Sequence, residues 1–374
     1  MINRLADECY LPANETILAN IKESKGLFRV SFSMSGTILE LLLKYRPDVV
    51  DSFKRILATG SAEIMSETYY HSLSYLYSKK EFRRQVQKHQ AFIGEIFGIE
   101  PVVFSNTELI YDNQLGSYLS GLGLKAILCE GRNEILCGRS PNHVYKIPGN
   151  DDIALLLRNS TLSDDISFRF TDKSWNEYPL TADKFAQWIQ MHPADTELIT
   201  LFLDYETFGI HKRKEDGILD FLKALPTVFK NAEQVRFSLP SDLVKEYPAR
   251  DVYDVTQTIS YEGNPVTLNY WNSNLMQNNA LKKLYSLENI VLRSNDASVL
   301  EKWSILQASD FFSCMSDQNF EGQRYKYANS FGSPAEMYKY YTEILFDFEI
   351  SLINRVIANR KSSVQSGNWT LLSD

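Results

Sequence analysis

The sequence predicts an α/β protein, a barrel of parallel strands followed by a helical C-terminal region. Three observations carry this. Short apolar runs alternate with amphipathic helical patterns over the first two-thirds of the chain. No glycine-rich phosphate fingerprint follows the first run. The alternation gives way to long helical patterns after about residue 250. Strands that alternate with helices pair in parallel through right-handed crossovers. An open doubly wound sheet is the structural alternative, and the missing glycine fingerprint weakens its nucleotide-binding version.

The elements follow in order. Phe28 to Ser33 reads as a strand, and helical spacing follows through Leu39, Leu42 and Leu43. Pro47 opens a helix with Val50, Phe53 and Leu57 on one face, stopped by Gly60. Ala62 to Met65 is a short strand. The next helix carries Phe82, Val86, His89, Ile93 and Ile96 on its apolar stripe, with Gly98 as its cap. Val102 to Phe104 is a strand, Leu115 to Leu122 a short helix, Ala126 to Leu128 and Ile153 to Leu157 strands, and Thr181 to Ile189 a helix. Leu198 to Leu203 reads as a strongly buried strand and Val235 to Leu239 as the last. These runs make a barrel domain of residues 1–250. Residues 251–374 form the mainly helical region, with extended pieces at Thr256–Tyr261 and Val266–Asn269, helices from Asp296 to Ile357 and a frayed polar tail from Ser362.

Composition narrows the function. The net charge is -8 without a basic block, which argues against nucleic acid as the partner. No apolar run is long enough to span a membrane, and the first residues lack the apolar core of a secretion signal, so a cytoplasmic protein is expected. Cys9, Cys129, Cys137 and Cys314 form no Cys-x-x-Cys pair, and no His and acid set has metal-ligand spacing, so no metal or other cofactor is expected. The 21 Tyr and 21 Phe suit a sugar-stacking protein, although most such rings belong in a core.

Acids cluster at strand ends: Glu67 after the second strand, Glu108 after the third, Glu130 after the fourth, and Asp204 with Glu206 after Leu203. In a parallel barrel these ends form the active-site face. Two carboxylates facing a sugar acetal are the minimum for glycoside hydrolysis, one attacking the anomeric carbon and one donating and later accepting a proton. Glu108 and Asp204 come from different strands and are the candidates. For any single acid, capping a helix or pairing with Arg or Lys is the stronger reading. His71, just past a strand end, can bond a sugar hydroxyl; His89 reads as packed and structural, and His143 and His192 as inert.

The motifs resemble those of glycoside hydrolase family 57. Phe104-Ser105-Asn106-Thr107-Glu108-Leu109-Ile110-Tyr111 is similar to its nucleophile segment, and Leu203-Asp204-Tyr205-Glu206-Thr207-Phe208-Gly209 to its acid/base segment. Gly60-Ser61-Ala62-Glu63-Ile64 resembles the short glycine-to-glutamate segment, with Cys9–Asn14, Ser31–Gly36, Glu67–Leu73, Ser140–Asn142, Leu162–Arg169 and Pro179–Lys184 as further pieces. The order holds over residues 7–240 and more weakly to 345. The resemblance implies an incomplete (β/α)7 barrel with a helical C-terminal region, and retaining hydrolysis or transfer on α-1,4-glucans such as starch, glycogen and maltooligosaccharides. It makes Glu108 the nucleophile and Asp204 the acid/base. It places Glu63, His71 and Asp310 at the substrate, and offers Trp175 as a stacking platform. It also implies departures. A first strand bearing His-Gln-Pro is expected upstream and is not in this sequence, so an open seam and weak or absent catalysis are the alternative expectation. Ser105 stands where an arginine is expected, and Phe311 where a histidine is.

Overall fold

The structure is a computed structural model and describes residues 1–230, 232, 234–261, 268–317 and 331–365. The chain divides into two compact units, Met1–Tyr69 with Arg83–Thr267, and Tyr70–Phe82 with Leu268–Asp374.

Among the described residues the first unit holds seven strands: β1 (Val30–Phe32), β2 (Ala62–Ile64), β3 (Val103–Ser105), β4 (Ala126–Glu130), β5 (Val144–Ile147), β6 (Asn150–Arg158) and β7 (Asp251–Val252). β1 pairs in parallel with β2, Val30 opposite Ala62. A second sheet runs β3-β4-β6-β5-β7, with β3, β4 and β6 parallel. A single parallel bridge, Ser66 to Phe104, carries the ladder from one sheet to the other, and another joins Arg158 to Thr200. The parallel succession thus passes from Val30 to Thr200, and among the described residues its ladder does not close on itself.

Local sequence explains the elements. All five residues of β4 are buried, as a sheet covered on both faces requires. The helix Pro47–Leu57 begins with a proline, whose missing N–H costs nothing in the first turn. It buries Val49, Val50, Phe53 and Ile56, and carries Asp48 early with Lys54 and Arg55 late, matching the helix dipole. Caps fall where strands end. Ser35 Oγ accepts from the Ile38 amide, Asp112 from Leu115 and Asn159 from Leu162, each satisfying a first-turn donor. The core of this unit packs Phe32, Phe53, Ile64, Ile93, Phe185 and Phe221, and a second cluster joins Val103, Ala126, Leu128 and Leu156.

Three expectations are corrected. Leu198–Leu203 is not a buried strand: only Thr200 bridges, and Leu201 is exposed. Val235–Leu239 makes no ladder; it runs into the helix Pro240–Glu246, where Phe237 meets Phe28 with ring centres 4.7 Å apart and Asp242 pairs with Arg29 at 2.8 Å. These apolar runs are held by side-chain packing, which strand-like spacing in sequence does not distinguish from ladder bonding. The sheet is also mixed, because β5 forms an antiparallel hairpin with β6 and β7 then adds in parallel. The Thr256–Tyr261 piece contributes one bridge, Ile259 to Tyr111.

The second unit is helical: Asn269–Asn272, Leu275–Ser286, Glu288–Ser294, Ala297–Ile305, Ser309–Ser313 and Pro334–Gln365. Trp271, Trp303, Phe312 and Tyr341 are buried in it. Trp303 donates to the Leu284 carbonyl at 2.9 Å and Tyr341 to the Leu306 carbonyl at 2.7 Å, so these two buried polar tips are satisfied. The extended piece expected at Val266–Asn269 lies outside the described residues at 266 and 267, and 269 is helical; of the tail, residues 366–374 lie outside them. Among the described residues no helix is long and apolar enough to cross a membrane.

Candidate active site

The C-terminal edge of the parallel succession carries the acids. β3 ends at Ser105 and runs into the tight turn Thr107–Leu109. Within it Glu108 has φ 56° and ψ 27°, and Leu109 follows at φ 49°. Two successive side-chain-bearing residues in the left-handed region cost free energy that the surroundings must hold. They do so from several sides. Asn106 Nδ2 donates to the Ile110 carbonyl at 2.8 Å, the Thr107 and Thr68 hydroxyls meet at 2.8 Å, and the Tyr261 amide donates to the Glu108 carbonyl at 3.2 Å. Glu108 is thereby left half-buried between buried neighbours.

Asp204 leaves the same edge. It precedes the turn Tyr205–Thr207 with extended φ and ψ, and its carbonyl accepts from the Thr207 amide. The N-terminal helix holds this segment. Cys9 Sγ donates to the Tyr205 carbonyl at 3.2 Å, the Tyr205 hydroxyl bonds Asn14 Oδ1, and Tyr10 donates to Glu206 at 2.8 Å. The Cys9–Asn14 and Leu203–Gly209 motifs are therefore two halves of one packed joint.

Behind the edge lies a charged group that sequence reading had not put together. Glu130 at the end of β4 and Arg158 at the end of β6 are buried and pair at 3.3 Å, and Arg158 also reaches Asp164 at 2.6 Å. Burial pushes the Glu130 carboxyl up to about 7, with Arg158 and Arg132 pulling against it. The signal was present: an arginine directly follows the apolar run Ile153–Leu157, as the acids follow theirs.

His89 is buried as a structural residue. Its Nδ1 accepts from the Glu67 amide at 3.4 Å and its Nε2 faces the Met34 carbonyl at 2.9 Å, which assigns the proton to Nε2. Burial lowers its basicity, so the ring is neutral. Glu67 accepts from Ser33 at 2.5 Å, so this pair ties the ends of β1 and β2 together.

The remaining candidates divide between the units. Glu63 lies in the middle of β2, where Ser31 Oγ and the Ser241 amide donate to it at 3.3 and 3.2 Å; it receives a first-turn amide of the helix Pro240–Glu246, and burial raises its carboxyl. Trp175 sits edge-on to Trp188 at 6.0 Å under the Arg169 guanidinium at 5.7 Å. In the second unit, the Ser309 amide donates to the His71 carbonyl at 2.9 Å and Ser72 bridges Ala308, so the His71 and Asp310 segments lie side by side. Phe311 packs on Tyr341 at 5.5 Å, and Ser105 is buried in β3 with its amide on the Ser66 carbonyl.

Acids on turns at the C-terminal edge of parallel strands stand where α/β folds of this kind place their active sites. Residues 1–256 match the model of glycosyl hydrolase family 57, and the chain belongs to that family. It is 38% identical over 361 residues to the Methanocaldococcus jannaschii protein named "Putative alpha-amylase", covering 93% of this chain and 76% of that one. Its fold resembles that of the 4-alpha-glucanotransferase from Thermococcus litoralis, with TM-score 0.69 and 15% identity over 83% of this chain; the chain spans 52% of that enzyme. It also resembles the family 57 branching enzyme of Thermococcus kodakaraensis, with TM-score 0.64 and 14% identity over 95% of this chain and 89% of that one.

Proposed function

We propose that this chain is a retaining, α-amylase-like glycosidase or glucanotransferase acting on α-1,4-glucans. The Glu108 carboxylate attacks the anomeric carbon as Asp204 protonates the departing glycosidic oxygen, leaving a glycosyl ester on Glu108. Asp204 then takes a proton from water or an acceptor hydroxyl, whose oxygen displaces Glu108 and regenerates both groups. The observation that carries this reading is the left-handed backbone at Glu108, in a turn that bonds to Thr68 and Tyr261 hold at a strand's C-terminal end. Backbone strain of this kind concentrates where a side chain must be aimed. We read the first unit as the catalytic one and its sheet as an incomplete barrel, with the extended segments around Thr200 and Phe237 as its last two walls. His71, Asp310, Glu63 and Trp175 are the candidate sugar contacts.

Maltoheptaose incubated with the protein tests the assignment. Chain-length redistribution or shortening is expected, with α-configured product by NMR. Glu108→Gln and Asp204→Asn should each lower turnover by about 10²–10⁴-fold. Glucan binding without turnover, indifferent to Glu108→Gln, overturns it.

A further inference from the structure

We propose that Arg158 is the positioning residue that ties the Glu108 turn to the Asp204 segment, an inference that rests on the catalytic assignment above. Its backbone pairs in parallel on both sides, opposite Glu130 of β4 and bridged to Thr200. Its side chain then uses every edge of the guanidinium. Nε donates to the Phe202 carbonyl at 3.0 Å, two residues before Asp204. One terminal nitrogen donates to both Glu130 oxygens at 3.4 and 3.3 Å, and the other to Asp164 at 2.6 Å. The guanidinium carbon lies 5.6 Å from the Tyr261 ring centre, and the Tyr261 amide is the group that bonds the Glu108 carbonyl. Arg132 fixes the preceding residue, donating to the Ser260 carbonyl at 2.6 Å. The path Glu108–Tyr261–Arg158–Phe202 is thus made of contacts of 3.2 Å or less and a cation on a ring, and two residues of backbone carry it on to Asp204.

The chemistry requires arginine. A planar fork reaches a carbonyl, two carboxylates and a ring in fixed directions, whereas a lysine ammonium is a single point with three donors and no face. Arg158 is 3% exposed, and burying its charge is tolerated because Glu130 and Asp164 are both within reach. Asp164 completes the pairing from the end of the short helix Ser160–Asp164 that follows β6.

The test measures kcat and KM on maltoheptaose for the whole chain. Arg158→Lys should lower kcat about tenfold or more with KM within roughly twofold, because displacing a reacting group matters more in the transition state than in substrate binding. Tyr261→Ala should lower kcat severalfold at unchanged melting temperature, while Tyr261→Phe, which keeps the ring on the guanidinium, should restore it. An Arg158→Lys protein with wild-type kcat overturns the inference. If that variant does not fold, equal kcat for Tyr261→Ala and Tyr261→Phe overturns it. A wild-type protein with no Glu108-dependent turnover overturns the catalytic assignment instead, and this inference falls with it.

Discussion

The Tyr10 hydroxyl donates to Glu206 Oε1 at 2.8 Å across 196 residues of sequence. Burial and the Glu206 carboxylate both hold the phenol well above its ordinary range, so it is a donor throughout the physiological pH range. Tyr10→Phe removes that donor and keeps the ring. A loss of about 1–2 kcal/mol of stability is expected by urea denaturation, as for hydrogen bonds to charged groups. Turnover should fall with it, since Glu206 shares a turn with the residue after Asp204.

Gly209 makes the same joint close. It has φ 141°, and a Cβ there would stand 1.9 Å from the Glu8 carbonyl oxygen. Backbone, unlike a long side chain, cannot give way cheaply. Gly209→Ala should destabilise the first unit by about 2–4 kcal/mol. An unchanged denaturation midpoint would show that the helix and the Asp204 segment are not packed as described.

His89 sets a pH dependence of known sign. Its folded basicity lies below the ordinary histidine value of 6.5, so the unfolded chain takes up the proton first as pH drops. Stability should therefore fall as pH decreases below 6.5, and be constant with respect to this group above it. Comparing urea midpoints of wild type and His89→Gln at about pH 5 and about pH 7.5 reads the difference; a larger acid sensitivity in the variant contradicts it.

Glu130 works in the opposite direction. Its carboxyl is raised from 4.5 to about 7, chiefly by burial, so the folded state holds a proton that the unfolded state has released. Stability from this group is present below pH 4.5 and lost as pH rises to about 7. Glu130→Gln, which keeps an acceptor for Arg158, should flatten that decline. Because His89 and Glu130 oppose each other between these limits, each is read as variant minus wild type. Parallel curves for Glu130→Gln and wild type would refute the assignment.

The sequence by itself determined much of this protein. The parallel strands from Val30 to Arg158, the helices between them and the family emerged from apolar periodicity, caps and motif order, because these are local properties of the chain. Glu108 and Asp204 were legible as acids following apolar runs, and His89 as a packed residue on a helix stripe. The tertiary structure alone decided the rest. Leu198–Leu203 and Val235–Leu239 have strand-like composition, yet they meet their neighbours through Thr200 and Phe237 and do not form ladders. Nothing local separates those outcomes, since ladder bonds depend on which backbone lies alongside. Likewise the left-handed turn at Glu108, the Tyr10–Glu206 joint and the reach of Arg158 from Glu130 to Phe202 join residues far apart in the chain, and only folding fixes such distances.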